Sequence, residues 1–190
     1  MKTRYPVVIS PTGEVKWAWL TNPCTRFVPD GLFSCDLLLG KDDAVKFISQ
    51  IKPHLQAAID ELKALKKFPD DVNNHFPWHF DGDGRRVLFR FKQRAKIRTK
   101  KGETFDIIIP IYDAKNQPVI DNRPIFPGSK LRIQAEVVTW LVNSNLYLQL
   151  RIKSVQVAEY APDDRNTCPF DEIETAAPVT ETAMETVSPF

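Results

Sequence analysis

Cationic residues occupy every second position of one segment of the chain, from Arg90 to Lys100. Successive residues of a β-strand point to opposite faces, so the alternation predicts a strand over residues 87–100 with one cationic and one buried face. The cationic face holds six side chains, namely Arg90, Lys92, Arg94, Lys96, Arg98 and Lys100. The other face is expected to enter a hydrophobic core and holds Phe89, Phe91, Ala95 and Ile97.

This basic segment carries more charge than the protection of a sheet edge requires. Residues 85–101 contain nine bases and no acid, because Arg85, Arg86 and Lys101 extend the alternating set. One or two charges are enough to keep an edge strand from pairing with another chain. Aligned like charges repel one another, and a polyanion that lies along them removes this cost. The pattern therefore favours a nucleic-acid backbone as the ligand.

Hydrophobic periodicity divides the rest of the chain into several strands and one helix. Apolar residues recur every three or four positions from Ala44 to Leu65, which predicts an amphipathic helix that Asp42 or Asp43 caps and that Pro53 kinks or divides. Further strands are predicted at residues 15–20, 32–39, 105–111, 130–142 and 146–157, and loop-rich segments at residues 1–12, 68–85 and 112–129.

This order of elements is typical of a mostly β protein with an OB fold, which is a small antiparallel Greek-key barrel, here with one helical segment. An open α+β sandwich is the competing architecture. A short connection at residues 143–145 predicts that the last two strands form a hairpin.

The net charge of +2 conceals an uneven distribution. Residues 159–190 contain eight acids and one base, a charge of −7, whereas residues 1–158 contain 25 bases and 16 acids, a charge of +9. Apolar periodicity ends after Tyr160, where Pro, Thr, Ala and acidic residues dominate. We therefore predict a folded domain over residues 1–160 and a disordered acidic tail over residues 161–190.

Aromatic residues near the cationic strands favour single-stranded over duplex nucleic acid. Unpaired bases stack on exposed rings while cations follow the phosphates. Trp140 and Tyr147 lie on the faces of the last two strands that the period places outside the core, whereas Trp17 and Trp19 could line either the core or a groove. The predicted DNA-binding residues are Arg85, Arg86, Arg90, Lys92, Arg94, Lys96, Arg98, Lys100, Arg132, Trp140, Tyr147 and Arg151.

The acidic tail ends in a hydrophobic residue, which a purely solubilising tail does not need. A Pro-Phe terminus could dock in an apolar pocket of a partner protein while a basic rim holds the α-carboxylate. The tail could also lie in the basic groove of its own chain and compete with DNA. The residues predicted to bind a partner are Phe170, Asp171, Glu172, Glu181, Glu185, Pro189 and Phe190.

Catalytic and metal-binding classes find little support in the sequence. Asp81 and Asp83, with His75 and His79 nearby, are carboxylates of the kind that a metal-dependent nuclease uses, but Pro77 separates the histidines. Turn formation explains these residues better. The sequence has no glycine-rich phosphate-binding motif, so we expect no enzyme activity, no cofactor and no metal site.

The cellular compartment follows from what the sequence lacks. Three cysteines are too few for a disulfide framework and fit a reducing cytoplasm. No apolar stretch reaches 18 residues, and the first ten residues have no hydrophobic leader, so we expect neither a membrane segment nor secretion.

Taken with the basic body and the acidic tail that ends in Phe190, four segments resemble the bacteriophage single-stranded DNA-binding proteins of the podophage replication type. These segments are residues 27–36, 110–113, 127–129 with the following strand, and 150–157. The resemblance implies an OB fold, sequence-independent binding of single-stranded DNA, and recruitment of replication proteins by the tail. The tail differs from the family pattern because Thr and Ala dilute its acids and none of its last five residues is acidic.

These observations predict a non-enzymatic protein that coats and protects single-stranded DNA during phage replication, recombination and repair. It would act in the cytoplasm of the infected bacterial host and recruit DNA polymerase and helicase-primase through its tail. The alternatives are a strand-annealing recombination mediator, a metal-dependent nuclease and an adaptor for an acidic protein. The sequence leaves open whether the chain forms a homodimer.

Overall fold

A computed structural model describes residues 5–65, 67–69, 71–82, 84–99 and 102–163. Strands dominate this part of the chain, and it contains one helix, α1. The strands are β1 (Val7–Ile9), β2 (Gly13–Cys24), β3 (Leu32–Gly40), β4 (Asn73–His75), β5 (Trp78–Phe80), β6 (Arg86–Arg94), β7 (Lys96–Arg98), β8 (Thr104–Asp106), β9 (Ile111–Tyr112), β10 (Lys130–Val142) and β11 (Asn145–Glu159), and α1 is Lys41–Ala64.

Five long strands close into a barrel in the order β2, β3, β6, β11, β10 and back to β2. Neighbouring strands are antiparallel except β6 and β11, which are parallel. Closure occurs where Glu14 and Gly13 of β2 pair with Lys130 and Leu131 of β10. This connectivity is that of the OB fold, so the predicted fold class is confirmed. The hairpin predicted at residues 143–145 joins β10 and β11.

Close packing at the barrel seam leaves no room for a side chain at Gly13. A Cβ atom at this position would lie 2.6 Å from the Leu38 carbonyl oxygen and 2.6 Å from a methyl carbon of Leu39. Because β2 approaches both β3 and β10 here, the glycine allows the seam to close.

Alternate residues of the barrel strands fill a continuous apolar core, as the period-2 patterns predict. The largest fully buried side chains are Phe47, Phe89, Phe91, Leu37, Leu39, Ile51, Leu131, Ile133, Leu146, Leu150, Ile152 and Val15. The inner face of β6 therefore belongs to the core, and its outer face is open to solvent or a ligand from Arg90 to Arg94.

Helix α1 packs against the barrel through one face, which carries Ala44, Phe47 and Ile51. The ring of Phe47 lies 5.2 Å from that of Phe89. The predicted cap is wrong, because the N-cap residue is Gly40, which precedes Asp42 and Asp43, and both aspartates lie inside the first turn. Pro53 does not divide the helix, which continues to Ala64 and loses only one backbone donor at this position.

Short strands extend the barrel where the sequence predicts loops. β1 adds to β10, β4 adds to β11, and β5 pairs with β6. Residues 107–110, predicted as part of a strand, follow the end of β8 at Asp106.

Cys24 and Cys35 are free thiols. Within the described ranges, no helix has the length and apolar character needed to cross a membrane.

Candidate nucleic-acid interface

Strand β6 presents a cationic outer face, as the alternation predicts. Arg90, Lys92 and Arg94 are exposed, whereas Phe91 and Gln93 between them are buried. The core fixes this orientation, because a shift of one residue would move the phenylalanines into solvent.

The predicted continuation of this strand to Lys100 is wrong, because β6 ends at Arg94. The backbone N–H of Ala95 donates to the Gly31 carbonyl, and the Ala95 carbonyl accepts from the Ile107 N–H. The chain thus leaves the barrel and forms the separate β7–β8 hairpin, in which Ile97 is 42% exposed instead of buried. Lys96 and Arg98 are exposed on this hairpin, and Lys100 lies outside the described residues.

Two tryptophans of β2 share the outer face with the β6 cations. The register places Trp17 opposite Asp36 and Trp19 opposite Ser34, and these β3 residues lie opposite Arg90 and Lys92 of β6. Residues that are directly opposite in antiparallel strands point to the same face. Trp17 is 55% exposed and Trp19 is 39% exposed, and their rings meet edge to face with centroids 6.2 Å apart.

These side chains line an open cavity of about 310 Å³, which we call the aromatic groove. Its lining residues are Trp17, Trp19, Cys24, Phe27, Val28, Leu32, Ser34, Asp36, Arg90 and Lys92. Phe27 projects from the loop between β2 and β3 and is 82% exposed. This loop closes through Gly31, whose φ of +81° favours glycine and whose carbonyl holds Ala95.

The cations of β6 differ in their partners. Arg90 donates two hydrogen bonds to Asp36, from Nε to Oδ1 at 2.8 Å and from Nη2 to Oδ2 at 2.7 Å. These hydrogen bonds raise the pKa of Arg90. Lys92 and Arg94 form no ion pair with any residue that the structure describes. The uncompensated positive charge of the β6 face therefore lies at its end, beside the loop that carries Phe27.

Trp140 and Tyr147 belong to a second set of rings, which does not line the aromatic groove. Tyr147 lies between Trp140, at a centroid distance of 5.5 Å, and His75, at 4.6 Å, and both contacts are nearly parallel. His75 is held in turn by a 3.0 Å hydrogen bond between Nε2 and the Asn145 side-chain oxygen. The predicted role of Tyr147 in base stacking is disfavoured, because protein rings flank it on both sides. Trp140, 39% exposed, is the end of this row.

Two of the other predicted cations, Arg86 and Arg132, bind acidic or polar side chains. Arg86 lies 3.3 Å from Glu14 and 3.6 Å from Asp81. Arg132 Nε donates to the Gln156 side-chain oxygen at 2.6 Å. Neither cation lines the aromatic groove.

Arg151 neighbours Lys92 across the β6–β11 pairing but donates from Nε to Glu136 at 2.8 Å. Its guanidinium also lies over the Tyr5 ring, 4.7 Å from the ring centroid. Burial raises the pKa of Glu136, but hydrogen bonds from Arg151 and Lys153 outweigh it and hold this pKa below its usual value. Arg85 precedes β6 and also has a partner.

Asp81, proposed as a ligand in the nuclease alternative, is engaged by cations. It accepts a hydrogen bond from Lys16 at 2.9 Å, and this contact holds the pKa of Asp81 below its usual value. Asp83 lies outside the described residues. Among the described residues, no three His, Cys, Asp or Glu side chains are grouped as a metal site would require.

Comparison with solved structures supports the same architecture. The chain is similar to gp2.5, a single-stranded DNA-binding protein encoded by bacteriophage T7, with a TM-score of 0.65, 24% identity and coverage of 87% of this chain and 98% of that one. It is also similar to the single-stranded DNA-binding protein from bacteriophage Enc34, with a TM-score of 0.56, 11% identity and coverage of 85% and 86%.

The Enc34 protein in complex with single-stranded DNA gives a TM-score of 0.57 at 9% identity, over 82% of this chain and 88% of that one. These similarities confirm the predicted resemblance to phage single-stranded DNA-binding proteins at the level of fold. No protein-family model and no curated protein sequence matches the chain.

Proposed function

We propose that this protein binds single-stranded DNA along the aromatic groove, without sequence preference. The observation that carries the proposal is the exposure of Trp17 and Trp19 on the same face as Lys92 and Arg94. Exposed rings provide stacking surfaces for any base, and cations beside them bind the phosphates that join the bases.

The groove suits an unpaired strand better than a duplex. A base can stack on Trp17 only when its face is free, which pairing and stacking inside a duplex prevent. In an OB fold, the faces of the second and third barrel strands and the adjoining loops commonly bind oligonucleotides. Here those strands are β3 and β6, and the loop between β2 and β3 carries Phe27.

The similar structures support this ligand by analogy. The T7 and Enc34 proteins are single-stranded DNA-binding proteins, and one Enc34 structure contains single-stranded DNA. We infer that this chain likewise acts on DNA without catalysis, coating and protecting single strands during phage replication, recombination and repair in the infected bacterium.

The experiment that tests the proposal compares labelled single-stranded and double-stranded oligonucleotides at two salt concentrations. We expect tight binding of the single strand, weak binding of the duplex and a steep loss of affinity with salt. Each phosphate contact on a single strand adds about −0.7 to the slope of log K against log salt. Equal affinity for both DNA forms, or an affinity that does not change with salt, would contradict the proposal.

We further propose that the acidic tail competes for the groove and recruits DNA polymerase and helicase-primase. Residues 164–190 lie outside the described residues. The support for this proposal is the charge of residues 161–190, which contain seven acids and one base and therefore carry −6. Deletion of residues 161–190 should tighten binding to single-stranded DNA and abolish binding to the polymerase.

A matched variant separates the two roles of the tail. Phe190→Ala removes the terminal ring, so it should weaken polymerase binding, measured by surface plasmon resonance. Because the variant leaves the charge of the tail unchanged, its affinity for DNA should equal that of the wild-type protein. Weaker DNA binding after the deletion would contradict the competition.

A further inference from the structure

The centre of the aromatic groove contains a carboxylate. Asp36 points to the outer face of β3, between Trp17 on β2 and Arg90 on β6. Its side chain is only 15% exposed, against 48% for that of Arg90. An acid in a surface that binds a polyanion weakens binding unless another interaction of the complex compensates for it.

The geometry of the pair restricts what Arg90 can do. Asp36 accepts from Nε and Nη2 at 2.8 and 2.7 Å, so it occupies one side of the guanidinium fork. This is the geometry in which an arginine would bind a phosphate with two hydrogen bonds. A phosphate that binds this side of the guanidinium must displace a carboxylate that the fold holds in place, and a phosphate that binds the remaining N–H groups meets a cation whose charge Asp36 already balances.

We propose that Asp36 keeps Arg90 out of phosphate binding and thereby limits the affinity of the groove. Lys92 and Arg94 then make the phosphate contacts, while the paired Arg90 forms part of the wall beside Trp17. This inference rests on the proposed function, because it assumes that single-stranded DNA lies in the aromatic groove. Arg90, the first cation of the alternating pattern, thus contributes structure to the site and not charge.

The salt dependence of DNA binding tests the proposal, because only cations that bind phosphates contribute to the slope of log K against log salt. We expect Lys92→Ala and Arg94→Ala each to reduce the slope of log K against log salt by about 0.7. Arg90→Ala should leave the slope unchanged. Asp36→Asn should tighten binding and steepen the slope by about 0.7, since the released Arg90 becomes a phosphate ligand.

The double variant provides the decisive comparison. In the Asp36→Asn background, Arg90→Ala should now reduce the slope by about 0.7, although it has no effect on the slope of the wild-type protein. Fluorescence polarisation with a labelled oligonucleotide, titrated between about 50 and about 200 mM salt, gives these values. Thermal unfolding of each variant verifies that it is folded.

Asp43→Asn is the matched control. It also removes one negative charge and breaks an exposed ion pair, that of Asp43 with Lys46 at 3.5 Å, but it lies on α1 outside the groove. Its slope should equal that of the wild-type protein. An equal gain of affinity in both aspartate variants would show an effect of net charge alone and overturn the proposal.

The results also separate this proposal from the function on which it rests. If the wild-type protein binds single strands with a steep salt dependence but Arg90→Ala reduces the slope as Arg94→Ala does, the role of Asp36 is refuted and the function stands. If the wild-type protein shows no preference for single strands, both proposals fail.

Discussion

Truncation of the two groove tryptophans tests the site most directly. Trp17→Ala and Trp19→Ala each remove one stacking surface and leave every cation of β6 in place. Both residues are exposed, at 55% and 39%, so the cost to folding should be smaller than that of truncating a buried aromatic residue. DNA affinity should therefore fall much more than stability.

The expected loss follows from the stacking energy. A base that stacks on an aromatic side chain contributes about 1–3 kcal/mol. Since 1.4 kcal/mol is a factor of about ten in Kd, each truncation should weaken binding about 5- to 150-fold. The more exposed Trp17 should show the larger loss. The double variant should lose less binding free energy than the sum of the two single losses, because the ring centroids lie 6.2 Å apart and the two truncations affect the same part of the groove.

Fluorescence polarisation with an oligo-dT probe at constant salt measures the loss, and Trp140→Ala is the control. Trp140 is 39% exposed, like Trp19, but it belongs to the ring row with Tyr147 and not to the groove. It should change Kd less than twofold, which is roughly the effect of 0.4 kcal/mol. A folded Trp17→Ala variant with unchanged Kd, or a larger loss for Trp140→Ala, would refute the assignment of the groove.

Three further predictions concern the barrel. Gly13→Ala should lower the free energy of unfolding by about 1–3 kcal/mol in urea titrations, because its Cβ would lie 2.6 Å from a backbone oxygen at the seam; unchanged stability would contradict the tight closure. Burial, with a smaller contribution from Asp36, raises the pKa of Cys35, so this thiol should resist alkylation in the native protein while the half-buried Cys24 reacts, as mass spectrometry would show. The pKa of Glu136 is lowered on folding, so its stabilising effect is present above the unfolded pKa of about 4.3 and is lost as pH falls through the folded value. Glu136→Gln should reduce the fall in the free energy of unfolding on acidification, as unfolding experiments at pH 3–7 would show.

Local periodicity was sufficient for the barrel strands because each has one buried face. The predicted strand at residues 130–142 coincides with β10, and the burial of β6 alternates as predicted from Phe89 to Arg94. Periodicity could not reveal where β6 ends, since Lys96 to Arg98 continue the same pattern. That end depends on the bonds from Ala95 to Gly31 and Ile107, which only the folded chain brings together.

The face of the tryptophans was undetermined in the sequence for a related reason. Trp17 and Trp19 share one side of a strand, but the pattern does not say which side is the core. The register between β2 and β3 shifts between Val15 and Trp17, so the tryptophans lie outside although Val15 is fully buried. This irregularity reverses which residues of β2 face the core, and no residue type in the β2 sequence indicates its position.

The charge of the site shows the same limit most clearly. Six alternating cations predict one uniform basic surface, yet Arg90 is paired with an acid 54 positions away in the sequence. The acid is not visible in any local window, because Asp36 belongs to a different strand and meets Arg90 only through the β3–β6 register. A count of bases therefore overestimates the charge that a phosphate chain would encounter. What the fold leaves uncompensated on β6 is Lys92 and Arg94, among the residues described, and these two lie where the groove meets the Phe27 loop.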